Sequence, residues 1–105
     1  MNIQAMMKQA QKMQKDMMKE KNTIDEMEFE GKSSFVTIKM KGTKEVTSVK
    51  IDTETIEKDE IEMLEDMILV AMNEASKKVD KTTEEKMGKY TQGMPGLFWW
   101  ITQRQ

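Results

Sequence analysis

Apolar residues change their spacing twice along the 105-residue chain. Ile3, Met6, Ala10, Met13 and Met17 recur by alternating steps of three and four, the seam of a helix that packs lengthwise on another helix. Glu20 interrupts the series, and Ile24 and Met27 resume it. Neither Gly nor Pro precedes Gly31, and Gln, Lys, Met and Ala all favour helix, so the spacing predicts a helix over 2–25 ending between 22 and 26. From Met27 the period falls to two. Met27-Glu28-Phe29-Glu30 alternates, Gly31-Lys32-Ser33-Ser34 reads as a turn, and Phe35 to Lys41 alternates again. Val36, Ile38 and Met40 share one face of that strand, with Thr37, Lys39 and Lys41 opposite. Gly42-Thr43 marks a tight connection, and Val46 to Ile51 is a third strand with Val49 and Ile51 on its apolar face. Helical spacing returns after Asp59, the expected N-cap. Glu60, Glu62 and Glu65 follow in the first turns, where carboxylates suit the positive helix end. Ile61, Leu64, Ile68, Ala71 and Ala75 form its stripe, Val79 extends it, and Met63, Met67, Val70 and Met72 widen it. Residues 67–72 are apolar nearly all round, which predicts a deeply buried turn. The helix continues toward Met87 before Gly88.

The pattern describes an α+β domain over 1–90: a helix, a three-stranded antiparallel sheet and a long helix. Residues 91–105 read as a flexible C-terminal tail, and 99–105 as either a non-native addition or an extension. Helices of roughly 22 and 30 residues are ~33 and ~45 Å long, whereas three strands of ~6 residues reach only ~20 Å. The helices therefore overhang the sheet, and their distal parts can pack only on each other or on a partner chain. That geometry favours a homodimer with projecting arms, as does the small core that a chain of this length can bury.

Composition excludes most chemistry. The chain has no Cys and no His, so it has no disulfide, no thiolate ligand and no His-based catalytic triad. Of its 13 methionines, Met6, Met13 and Met17 stand at seam spacing and Met63, Met67 and Met72 join the stripe of the long helix, as packing and not as metal ligands. The acidic residues Asp52, Glu54, Glu57, Asp59, Glu60, Glu62, Glu65 and Asp66 lack the pattern of a calcium loop. No enzyme, cofactor, metal or small-molecule substrate is expected. No apolar run approaches a membrane span, and the N-terminus lacks the apolar core of a signal peptide, so the expectation is a cytoplasmic protein without a membrane partner.

The net charge of −2 conceals an uneven distribution. Residues 1–24 carry five Lys against two acids, residues 32–51 carry five Lys against one acid, and residues 52–66 carry eight acids and one Lys. The acid is concentrated in short blocks and the helices are mildly basic.

Four blocks in register resemble the YbaB/EbfC nucleoid-associated proteins. Met6-Met7-Lys8-Gln9-Ala10-Gln11-Lys12-Met13-Gln14 is similar to that family's opening helix, and Val46-Thr47-Ser48-Val49-Lys50-Ile51-Asp52 to its strand motif. Glu62-Met63-Leu64-Glu65-Asp66-Met67-Ile68 with Ala71-Met72-Asn73-Glu74-Ala75 resembles its long helix, and Glu85 to Lys89 with Gly93-Met94-Pro95-Gly96 its C-terminal end. The chain departs from the pattern in three places. Lys32-Ser33-Ser34-Phe35 replaces a Gly-rich turn, a Gly-rich leader is missing, and Trp99 to Gln105 has no counterpart. The resemblance implies a tweezer-like homodimer of a bacterial, non-enzymatic DNA-binding protein, nucleoid-associated, with a role in nucleoid organisation and gene regulation.

Lysines on phosphates supply most of the affinity of such a protein. Lys8, Lys12, Lys15 and Lys19 share one helix face roughly opposite the Met seam. Lys77, Lys78 and Lys81 add candidates on the last helix, and Lys39, Lys41 and Lys50 form a further patch on the sheet. Without arginines or aromatic platforms in the helices, duplex binding should be salt-sensitive and largely independent of sequence. Tyr90 is read as a packing residue. Candidates for the dimer interface are Val36, Ile38, Met40, Val49, Ile51, Leu64, Ile68 and Met72. The alternative function is a dimeric adaptor whose basic helices bind an acidic protein partner.

Overall fold

The computed structural model describes residues 2–91, and the side chains of 2–90. Helix α1 (Ile3–Glu26) leads into strands β1 (Glu28–Ser33), β2 (Val36–Lys41) and β3 (Val46–Ile51). A 3-10 turn at Lys58–Glu60 then opens helix α2 (Ile61–Thr91). This is the α+β arrangement that the spacing predicts.

Asn2 caps α1, its Oδ1 accepting from the Gln4 amide at 3.0 Å. Its partner at the other end, Met27, is already extended. The sheet is an antiparallel meander in the order β1-β2-β3. Ser33 pairs with Val36, so β1 runs through the expected turn at 31–34 and the reversal is only Ser34-Phe35. Ser34 takes a positive φ of 53°, the conformation for which glycine is the favoured residue in two-residue hairpins. Gly31 lies inside β1 because α2 sits directly on it: a Cβ there would run into the Ala71 carbonyl. Close approach, not turning, explains this glycine.

Glu57, not Asp59, caps the helical region. The Glu57 amide donates to Glu60 Oε1 at 3.1 Å, closing the first turn, and Asp59 lies within the 3-10 turn. Gly88 does not end α2, which runs through it to Thr91. The tail at 92–105 lies outside the described residues.

The core forms where α2 crosses β1 and β2. Val36 and Ile38 pack with Ala71 under Leu64, Met67 and Ile68. Phe29 and Met40 pack with Ala75 and Val79. A third cluster joins α1 to the end of α2 through Ile24, Met87 and Tyr90, with Met17 alongside. Tyr90 is therefore the packing residue expected. The turn at 67–72 is not deeply buried in the single chain. Ala71 is enclosed, but Leu69 is 58% and Val70 52% exposed, because only one side of α2 meets the sheet.

Candidate nucleic-acid interface

Met27 touches the Phe29 cluster, Ile24 meets Met87 and Tyr90, and Met17 packs last. Moving backward along α1 thus means moving forward along α2: the helices are antiparallel, and α1 continues past the described part of α2. Residues 2–16 are exposed at every position. The molecule is accordingly long and thin, 71 × 20 × 16 Å. The free arm occupies one end, and the acidic stretch 52–66 lies at the other.

Lys8, Lys12, Lys15 and Lys19 line this arm within a narrow arc, spanning ~16 Å by the helical rise. All four are exposed, and none of their ammonium groups makes an ion pair or hydrogen bond among the described residues. An unpaired, solvated line of cations on a rigid helix is prepared to meet a polyanion, because no internal partner has to be displaced.

The other lysines are placed differently. Lys77 and Lys81 are exposed on α2, a different helix from the α1 line. Lys78 is held: its Nζ donates to the Glu30 carbonyl at 2.7 Å and lies 3.4 Å from Glu74 Oε1, which fastens α2 to the outer edge of β1. Lys39 pairs loosely with Glu28 at 3.5 Å. It lines a shallow hollow of about 650 Å³ on the open sheet face, together with Lys32, Lys50, Glu30 and Asp52. The carboxylates there dilute its positive charge. Lys44 at the β2–β3 turn pairs with Asp80 at 2.9 Å, an ion pair between distant residues that no local pattern signals.

The interface candidates divide into two groups. Val36, Ile38 and Met40 are enclosed beneath α2 and belong to the chain's own core, so they are unavailable to a partner. Leu64 and Ile68 are half-buried by the same packing. Val49, Ile51 and Met72 remain exposed. Val49 and Ile51 pair with Ile38 and Val36, so they share the sheet face that α2 covers, yet α2 does not reach β3. A register shift at Lys39/Met40 sets Val46 opposite Met40, adding a residue to this face that simple alternation from Val49 omits. Val46, Val49 and Ile51 on the sheet, with Leu69 and Met72 on the adjoining flank of α2, form an apolar shelf beside the core.

Among the described residues no helix is long and apolar enough to cross a membrane, and no group of acidic side chains could hold a metal ion. The fold and its basic arm define a class: a small α+β domain with a projecting, lysine-lined helix. More particularly, the chain belongs to the YbaB/EbfC DNA-binding family, whose model matches residues 1–94. Among similar proteins is a nucleoid-associated protein of Ligilactobacillus salivarius, 43% identical over 99 residues, covering 92% of this chain and 95% of that one. Another, from Alkaliphilus metalliredigens, is 44% identical and covers 92% and 89%. A third, from Enterococcus faecalis, is 40% identical and covers 91% and 94%. The family is described by DNA binding and not by a catalysed reaction.

Proposed function

We propose that the protein is a homodimeric nucleoid-associated protein of the bacterial cytoplasm. It binds duplex DNA through the lysine line of α1, with little sequence preference, and contributes to nucleoid organisation and gene regulation. The observation that carries this reading is the row Lys8, Lys12, Lys15 and Lys19, unpaired among the described residues on an arm that none of them covers. Lys77 and Lys81 form a separate basic patch on α2, outside this line. The dimer forms on the shelf of Val46, Val49, Ile51, Leu69 and Met72, where a second copy completes the cover that α2 leaves unfinished. Dimerisation supplies two arms, and the acidic stretch at the far end keeps the duplex on the arms.

Fluorescence anisotropy with unrelated duplexes at two salt concentrations tests the reading. If one arm makes about four phosphate contacts, log K falls with log salt at a slope of about −3.6. The affinity loss from about 50 to about 200 mM salt is then on the order of 10². Replacing Lys8, Lys12 and Lys15 by Gln should reduce the slope to about −0.9 and the loss to about 3-fold. An unchanged slope in the triple variant removes this arm as the DNA surface. Binding to acidic proteins but to no duplex would favour the adaptor.

A further inference from the structure

The arm has a second face. Ile3, Met6, Ala10 and Met13 run along the side opposite the lysines, and Ile3 (71%), Met6 (54%) and Met13 (46%) are exposed. Among the described residues only Met17, at the base of the seam, packs on the rest of the chain. Helix over such a length draws most of its stability from covering an amphipathic face, and among the described residues nothing covers this one. The seam lies at the opposite end of the molecule from the first turns of α2 and is not continuous with the β3 shelf.

We propose that the seam docks on the same seam of a second copy, as an antiparallel helix pair crossing at Ala10, and so links molecules arm to arm. Steps of three and four are the spacing that lets two helices interlock, and the small Ala10 at the crossing allows close approach. The positions beside the seam, Met7, Gln9 and Gln14, carry no charge, so identical arms meet without like-charge opposition. Within the overlapping stretch 3–17 the one charged flanking residue, Asp16, falls opposite residue 4 of the other arm, at the positive end of that helix. The lysines stay outward on both arms. The contact leaves the phosphate-binding face free and stands whether or not the arm binds DNA. Combined with the β3 shelf, it turns dimers into chains, because each dimer then has a sticky arm at both ends.

The absence of native cysteine makes the test direct. Ala10→Cys should give a disulfide-linked pair under mild oxidation, in the Val49→Asp background as well, whereas Lys12→Cys on the outer face should give several-fold less. Equal linking at both positions, or none at Ala10→Cys, overturns the proposal. Sedimentation should show wild-type mass doubling beyond the dimer as concentration rises, and Met6→Lys/Met13→Lys should remain a dimer. A double variant that becomes monomeric would make the arm part of the first interface and overturn the proposal. The competing occupant is the chain's own 92–105, which holds both tryptophans. Tryptophan emission that shifts to the red in Met6→Lys/Met13→Lys at concentrations where the wild type is only dimeric would assign the seam to that segment and overturn the proposal.

Discussion

Replacing Gly31 by Ala should destabilise the protein even though glycine within a strand is ordinarily a weakness. In an unconstrained strand the exchange gains about 0.5–1 kcal/mol by reducing the freedom of the unfolded chain. Here the new Cβ would fall on the Ala71 carbonyl and 2.6 Å from the Ala75 amide nitrogen, where ~3.5 Å is the closest comfortable separation. Both atoms are helix backbone, so no side-chain rotation relieves the overlap and α2 must lift by about 1 Å. A gap of that size forfeits a quarter to a half of each dispersion contact. Four side chains depend on this seat: Phe29, Val36, Ile38 and Met40. At about 1.5–3 kcal/mol for each buried side chain, losing a quarter costs about 1.5–3 kcal/mol, in the range of overpacked cores. The loss exceeds the gain, and the net effect is about 1–2 kcal/mol, or roughly 5–15 °C in melting temperature. Gly88→Ala is the matched control. Among the described residues nothing lies within 4 Å of its added Cβ, so ordinary helix propensity should stabilise by about 0.8–1 kcal/mol. Thermal melts followed by circular dichroism at one protein concentration compare the pair. A Gly31→Ala protein that melts at or above wild type refutes the close seating of α2 on β1.

Ser34→Gly should stabilise by about 0.5–1 kcal/mol in a urea titration. It removes the strain of a positive φ on a residue with a Cβ, less the added freedom of the unfolded chain. Asn2→Ala removes the cap of a helix end that supports no core. It should therefore speed amide exchange over residues 3–6 and leave the global melting temperature within about 1 °C, the ~1 kcal/mol cap energy being local. Val49→Asp places a carboxylate on the uncovered shelf and, at concentrations where the wild type is only dimeric, should lower the sedimentation mass from two chains to one without altering the circular dichroism spectrum. An unchanged mass would move the dimer contact elsewhere.

Much of the fold was legible because it is local. The α1 seam, the alternation of β2 and the α2 stripe each follow from the period at which side chains return to one face. The lysine line was legible for the same reason. Misreadings arose where a neighbouring element set the outcome. Gly31 signals a turn by residue type, and only the seating of α2 shows that it is needed for close approach. Asp59 is a good cap by type, but Glu57 and Glu60 together close the first turn. Val46 joins the apolar face only because a register shift at Lys39/Met40 restores it.

The sequence by itself determined the element order, the antiparallel meander, the basic face of α1 and the exclusion of His and Cys chemistry, since these depend on residue identity and spacing alone. The tertiary structure decided which apolar faces are satisfied. Val36, Ile38 and Met40 lie under α2 and are spent in the core. Val49 and Ile51, one strand away in the same register and on the same face, are left open because a single helix is too narrow to cover three strands. The Met seam of α1 is left open among the described residues because the described part of α2 reaches no farther along α1 than Met17. Periodicity reports that a face wants cover; only the packing of whole elements shows whether this chain provides it or a second copy must.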